Sequence, residues 1–214
     1  MESYPSTERT QVRRLPKRAV YDKAQVHAIL DDGRICHVGF VVEGQPFVIP
    51  TGYVRAGEQI YIHGSSASRM MRGAADGICL CVTVTLLDGF VMARSAFHHS
   101  MNYRSVVVLG KARLVTDPEE KWEALRGFTN RIAAGRWEEV RQPTAQEMKA
   151  TSVLALALDE VSAKVRSGGP IDDEEDYALP VWAGVVPVRS ALGEPIPDDR
   201  LQPGVATIDT RRLR

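Results

Sequence analysis

The sequence predicts a mainly β protein, a closed antiparallel barrel whose openings are covered by helices. Three observations carry that reading. Strand-like stretches outnumber helical ones, consecutive strands are joined by turns too short for a parallel crossover, and the helical stretches fall between groups of strands without regular β-α alternation. The 214 residues carry 27 basic and 27 acidic side chains and a 44% apolar fraction, which suits one globular domain with loose ends. The expected division is an N-terminal arm over 1–21, the barrel domain over 22–190 and a tail over 191–214.

The balance of charge excludes a nucleic-acid binder that works by bulk electrostatics, because phosphate neutralisation needs a basic patch. Cys36, Cys79 and Cys81 are odd in number and lie in strand patterns, so reduced, buried thiols are expected and a disulfide framework is not. No partner pair at ligand spacing accompanies Cys79 and Cys81, and no metal site is expected. No apolar run reaches the roughly 18 residues of a membrane span. With a polar N-terminus, this leads us to expect a cytoplasmic protein without membrane or nucleic-acid partners.

In chain order, Met1 to Arg18 is polar, basic and proline-punctuated, an arm expected to lie on its own or a partner subunit. Asp22 to Leu30 gives a short amphipathic helix that ends at Asp32-Gly33. Even positions from Cys36 to Val42 are apolar, and Glu43-Gly44 is a hairpin signal. The next strand starts at Gln45, where Pro46 and Pro50 confine it to an edge, since neither proline can donate to a ladder. A third strand, Gln59 to His63, sets Ile60 and Ile62 against Tyr61 and His63. The period then changes: Ala67, Met70, Met71 and Ala74 fall at helical spacing, with Arg69 and Arg72 off that face.

The sequence thus places Ser65 or Ser66 at the cap of this helix. A helix start with free N-H groups, hydroxyls and an arginine one turn in suits a bound phosphate; ordinary capping is the plainer alternative. After a break at Asp76-Gly77, Ile78 to Leu87 reads as a core strand buried on both faces, and Asp88-Gly89 as a hairpin that returns Phe90 to Ala96 antiparallel to it. His98 and His99 point to opposite sides of an extended chain and are expected to make ordinary hydrogen bonds. Ser105, with Tyr103 and Arg104 at the start of the strand from Tyr103 to Val115, belongs to a polar cluster suited to a ligand's polar edge.

Thr116-Asp117-Pro118-Glu119-Glu120 starts a helix whose stripe is Trp122, Leu125, Phe128 and Ile132. Thr144 and Glu147 form a capping box before a short helix. Val153 to Arg166 returns to strand, Asp172 to Asp176 is expected to be a solvated loop, and Val181 to Val188 a final strand. Trp182 there suits a core or dimer contact, or the cover of a planar ligand.

Several of these stretches together resemble a known family. Tyr61-Ile62-His63-Gly64, Ser65 to Arg69, Tyr103 to Gly110, Gly135-Arg136-Trp137 and Trp182 to Pro187 look like the flavin-nucleotide-binding proteins related to pyridoxamine phosphate oxidase, with the nitroimidazole-resistance reductases as the nearest branch. The resemblance spans roughly Asp22 to Val188. It implies an FMN-binding split barrel of antiparallel Greek-key type, a homodimer with flavin at the interface and a small organic substrate.

It also implies flavin contacts from Val48, Ile49, Pro50 and Thr51, from Ile62, His63 and Gly64, and from Ser105 and Trp182. The phosphate-binding positions fall on Ser68 and Arg69, with Ser65 and Ser66 adjacent. The arginine and histidine pattern by which the oxidase binds its substrate is not evident after Trp182, so a reductase is expected rather than pyridoxamine phosphate oxidation itself. A haem-degrading relative is the other branch, and the sequence alone marks no haem ligand. Two functional classes follow, an FMN-dependent oxidoreductase and a flavin-binding module that stores or senses without turnover. His63 is either a general acid for a substrate reduced by the flavin or a residue that hydrogen-bonds phosphate or loop backbone.

Overall fold

The computed structural model describes residues 2–75 and 77–213; the side chains of Ala74 and Ala75, and Asp76 of the expected break, lie outside that description. Among the described residues eleven strands and four α-helices follow one another, first β1 (Ala19–Val20), α1 (Lys23–Asp32), β2 (Ile35–Val42), β3 (Gln45–Gly52), β4 (Val54–Ala56), β5 (Gln59–Ser65), α2 (Arg69–Ala75) and β6 (Cys79–Met92). The second half continues as β7 (Ser100–Lys111), β8 (Arg113–Leu114), α3 (Pro118–Ile132), α4 (Ala145–Ala150), β9 (Thr151–Ala157), β10 (Glu160–Arg166) and β11 (Gly184–Pro187). Every ladder among the described residues is antiparallel.

The strands form the two sheets of the expected antiparallel split barrel. The larger runs β1-β10-β7-β6-β2-β3, with β11 added beside β6, and the smaller runs β4-β5-β9-β8. Their inner faces meet in a single core, with Val38, Val82, Val106 and Val161 from one sheet and Ile60, Ile62, Leu154 and Leu156 from the other. β3 is the outer edge of the larger sheet, as its prolines require, with Pro46 opposite Val41 and Pro50 opposite His37.

Local chemistry sets the helix ends where the sequence places them. Asp22 accepts a hydrogen bond from the Gln25 amide, Asp117 one from Glu120, and Thr144 with Glu147 closes the capping box. At α2 the cap is two to three residues later than expected. Ser68, not Ser65 or Ser66, accepts from the Met71 amide at 3.2 Å, because β5 continues through Ser65 before the chain turns.

Four further expectations are corrected. Asp88-Gly89 is not a hairpin: β6 runs through it with a bulge, and Phe90 to Met92 continue in the same strand. Gly89 is needed for a close approach instead, since a Cβ there would lie 3.0 Å from the Val186 carbonyl oxygen on β11. The stretch Val153 to Arg166 is two strands in different sheets, β9 and β10, which turn at Leu158-Asp159. β6 is buried on one face only, through Leu80, Val82 and Val84; its other face carries Cys79, exposed, and Cys81, half-buried, so Cys36 alone is a buried thiol, its pKa pushed up to about 12 by burial. Asp172 is not solvated: it is buried and accepts from the Arg94 amide at 2.9 Å and the Arg94 guanidinium at 3.1 Å.

The N-terminal arm docks on its own chain. Tyr4 is buried, pairs its backbone with Tyr21 and sets its hydroxyl against His27 and Glu58, while Arg9 pairs with Glu160.

Candidate functional site: a serine-arginine seat and a histidine cavity on one strand

The end of β5 serves two places at once. Beyond Ile62, which points into the core, the strand passes through His63 and Gly64 to Ser65, and the chain then turns tightly through Ser66 to Ser68. The Ser68 amide donates to the Ser65 carbonyl at 2.9 Å, the Ala67 amide to the Ser65 hydroxyl at 3.3 Å, and the Ser66 amide to the Ala150 carbonyl at 2.9 Å. The turn is thereby fixed against the end of α4, while Ser65, Ser66 and Arg69 stay exposed.

Arg69 lies over the Phe47 ring, its guanidinium carbon 4.6 Å from the ring centre, so the seat borders the middle of β3. Val48 is 67% exposed and Pro50 is exposed on the outer face of that strand, whereas Ile49 and Thr51 lie on the face shared with Phe47. Ser65, Ser66, Ser68 and Arg69 thus share one turn, which meets β3 at Phe47, while Thr51 lies four residues further along that strand, opposite Cys36. A hydroxyl cluster with an aligned guanidinium can hold a phosphate oxyanion by charge-assisted hydrogen bonds.

Ser105 and Trp182 stand apart from that group. Ser105 faces Thr85 across the middle of β6 and donates its hydroxyl to the Lys164 carbonyl at 3.3 Å. Trp182, 66% exposed, rests against Gly184 of β11, which pairs with Met92 at the far end of β6 from the strand's Leu80 end near Phe47. Within one chain these two residues do not join the seat.

His63 is turned away from β3. The pleat that sends Ile60 and Ile62 into the core sends Tyr61 and His63 to the opposite face of the smaller sheet, under α3. Tyr61 donates there to Glu120 at 2.8 Å, and Glu120 also pairs with Arg113. His63 meets Phe128 edge-on with ring centres 4.2 Å apart and lines a cavity of about 410 Å³.

The cavity walls are Leu125, Phe128, Ile132, Trp137, Val140 and Met148, with Arg141 and Glu147 at the rim. Although His63 opens onto solvent through the mouth, the crowding of these walls lowers its pKa below the ordinary 6.5, since desolvation disfavours the imidazolium. The imidazole is neutral at pH 7, the form that donates a lone pair to a metal and the wrong one for a proton donor. Arg141 makes a fork to Glu147 with contacts of 2.9 and 2.8 Å, which holds the Glu147 carboxyl down at about pKa 2.

Sequence reasoning missed this cavity. Leu125, Phe128 and Ile132 have the spacing of a core stripe, yet in α3 only Ala124 is fully buried and Ile132 is 71% exposed. An apolar stripe that faces space rather than side chains has the same spacing as one that is packed.

His98 and His99 make local contacts, to Asp173 at 3.2 Å and to the Ser95 carbonyl at 2.9 Å. No helix among the described residues is long and apolar enough to cross a membrane.

Comparison with known proteins places this geometry. No match was found among curated proteins. Among solved structures the chain is similar to the flavocytochrome Anf3 from Azotobacter vinelandii, at 44% identity over 99% of both chains with a TM-score of 0.93. It is also similar to a FAD and heme binding protein from Mycobacterium smegmatis, at 36% identity over 91% of this chain and 96% of that one with a TM-score of 0.86. A putative 5-nitroimidazole antibiotic resistance protein from Bacteroides thetaiotaomicron shares the fold, at 21% identity over 69% of this chain and 86% of that one with a TM-score of 0.54. Residues 22–165, two thirds of the sequence, match the pyridoxamine 5'-phosphate oxidase family, and with its two-sheet antiparallel barrel the chain belongs to that family.

Proposed function

We propose that the protein is a flavin-binding redox protein that holds a flavin nucleotide at the Ser65–Arg69 seat and a haem in the His63 cavity. The observation that carries this reading is the end of β5, where His63 and Ser65, two residues apart, head an apolar cavity and a phosphate seat. Two relatives with high coverage, a flavocytochrome and a FAD and heme binding protein, support it.

The residues fit both groups. A neutral imidazole set among Leu125, Phe128, Ile132, Trp137 and Met148, at a mouth open to solvent, would serve as a ligand to a haem iron. Arg141 at the rim has the fork that a haem carboxylate would accept, in exchange for Glu147. In this reading Ser66, Ser68 and Arg69 would hold the phosphate, and β3, which Arg69 meets at Phe47, would carry the ring contacts of Ile49 and Thr51.

When bound, the flavin would take up two electrons from a donor and the haem iron would pass them on singly, chemistry that belongs to the groups themselves. The chain's part is to fix Arg69 over Phe47, to keep His63 unprotonated and to hold the two sites on one rigid strand. This assigns His63 to iron rather than to proton transfer.

FAD is the nucleotide proposed, because the seat is open and Ser65, Ser66, Ala67 and Arg69 are all exposed, leaving room for an adenylate. FMN is the ligand implied by the family resemblance, and the exposed Ser65, Ser66 and Arg69 would serve its single phosphate as well. A homodimer that shares the flavin between subunits belongs to the same proposal, supported by the exposed apolar residues Ile35, Val41 and Val48 on the outer face of β2 and β3.

The deciding experiment is the absorption spectrum of the purified protein before and after substitution. Haem and flavin bands together are expected, with the haem band lost in His63→Ala and the flavin retained. Reduction of both bands by NADH or NADPH would mark an oxidoreductase. A protein that carries flavin with an unchanged spectrum in His63→Ala refutes the haem assignment, and one whose flavin no donor reduces is a binding module.

A further inference from the structure

A glycine stands in β2 where the fold does not ask for one. Gly39 lies in the middle of the strand, opposite Val48 on β3 and Cys81 on β6. Glycine weakens a strand interior, and at Gly110 of β7 the reason for it is crowding, since a Cβ there would lie 2.9 Å from Leu156 Cδ1. At Gly39 a Cβ would meet the Cys81 carbonyl oxygen at 3.5 Å and Cys81 Cβ at 3.6 Å, ordinary contacts, and the backbone is not in the left-handed region. With neither packing nor backbone requiring it, the remaining use of a glycine inside a strand is the close approach of a ligand.

The surroundings say what approaches. Val48, Gly39, Cys81 and Leu109 stand side by side across the outer face of the larger sheet, on β3, β2, β6 and β7, so the missing side chain leaves a notch in the row. The notch opens into a groove of about 570 Å³, with Val41 and Pro46 beside it, a size within the roughly 300–1,000 Å³ of small-molecule sites. The groove is apolar except for Arg9, which the N-terminal arm brings there and Glu160 holds through Nε at 3.1 Å. A flat apolar floor with a planar guanidinium at its side suits a purine, on whose face arginine stacks.

One residue joins this groove to the phosphate seat. Phe47 lines the groove, and the same ring carries Arg69 at 4.6 Å. β3 is the outer edge of its sheet, and among the described residues no strand pairs beyond it, so a ligand can pass beside Phe47 from one face of β3 to the other. Ile49 and Thr51 lie on the face shared with Phe47, and Val48 lies on the face of Gly39. A dinucleotide whose phosphates sit at Arg69 therefore has one face of β3 for each of its halves.

We propose that the groove over Gly39 is the adenosine subsite of a flavin dinucleotide, with the purine lying on Gly39 and Cys81 and Arg9 stacked on its face. The inference rests on the flavin-nucleotide reading above and adds to it the surface that separates FAD from FMN, which has no group to place there.

The test fills the notch. Gly39→Val puts a strand-favouring side chain where a Cβ makes ordinary contacts, so the variant keeps the fold. In titrations of the flavin-free protein, FAD affinity is expected to fall roughly ten- to a hundred-fold while FMN affinity stays that of the wild type. In the wild type itself, the exposed Cys79 of the groove should react more slowly with iodoacetamide when FAD or ADP is bound, and at an unchanged rate with FMN. The adenosine subsite is overturned if Gly39→Val binds FAD as the wild type does or loses FMN as strongly as FAD, or if FAD protects Cys79 no better than FMN. The seat survives each of these results provided that Arg69→Ala still weakens both nucleotides. An Arg69→Ala variant that binds FAD and FMN as the wild type does removes the seat, and the subsite with it.

Discussion

Arg69→Ala is the substitution that most directly tests the phosphate seat. Arg69 is exposed and makes one defined contact in its own chain, with the Phe47 ring at 4.6 Å. At an exposed site such a contact contributes about 0.5–1 kcal/mol, so the fold should lose little, a shift of a few degrees at most in thermal unfolding. A charge-assisted hydrogen bond to a bound phosphate contributes about 1.5–3 kcal/mol. At about 1.4 kcal/mol per factor of ten, flavin nucleotide affinity should fall by roughly 10- to 150-fold.

The assay is quenching of flavin fluorescence in titrations with FMN, FAD and riboflavin. The loss should appear for FMN and FAD and be nearly absent for riboflavin, which has no phosphate, so that the preference for nucleotide over riboflavin collapses. Arg69→Lys should fall between, because it keeps the charge and loses the fork. If Arg69→Ala binds all three flavins as the wild type does, the seat is only a helix cap and the reasoning fails.

Other perturbations probe the fold and the cavity. The His63 pKa is lower in the folded state than the unfolded value of 6.5, so the unfolded chain takes up more protons below that value and stability should decline as pH falls through about 6.5; His63→Phe should flatten this slope in denaturant titrations of the haem-free protein. Gly33→Ala places a Cβ 2.4 Å from Val84 Cγ1 and 2.6 Å from the Tyr53 hydroxyl, an overpacking expected to cost about 1–3 kcal/mol in urea unfolding. Leu154→Ala, which removes a fully buried side chain between the sheets, should cost about 2–5 kcal/mol without changing the flavin affinity of the protein that remains folded.

How much of this was legible in the sequence follows from which signals are local. Caps are local, and Asp22, Asp117 and the Thr144-Glu147 box sit where the sequence places them. The edge position of β3 was equally legible, because Pro46 and Pro50 cannot donate whatever surrounds them. Asp88-Gly89 misled because glycine answers two needs, a turn or a close approach by another strand, and the neighbour that decides, β11, lies about a hundred residues away.

The turn between β9 and β10 at Leu158-Asp159 carries neither glycine nor proline and so has no local mark. Alternation correctly put Tyr61 and His63 on one face of β5, but period alone does not say what a face meets, and here it meets α3. The contact of Arg69 with Phe47 of β3 has no local mark in the sequence, and the place of Ser105 and Trp182 depends on the length of β6, which the supposed hairpin had halved.

Arg131, near the end of α3, gives the roof of the His63 cavity a fixed hinge line. Its Nη2 donates to the carbonyls of Leu30 at 2.7 Å, Asp31 at 3.0 Å and Gly33, and its guanidinium lies over the Tyr53 ring, 5.1 Å from the centre. These carbonyls close α1 and lead directly into β2. Phe128 and Ile132 flank Arg131 on the same helix, so raising that roof requires either releasing the hydrogen bonds of Nη2, which its two N–H groups share among three carbonyls, or carrying the end of α1 along. The height of the cavity's roof is therefore set by a residue that does not line it.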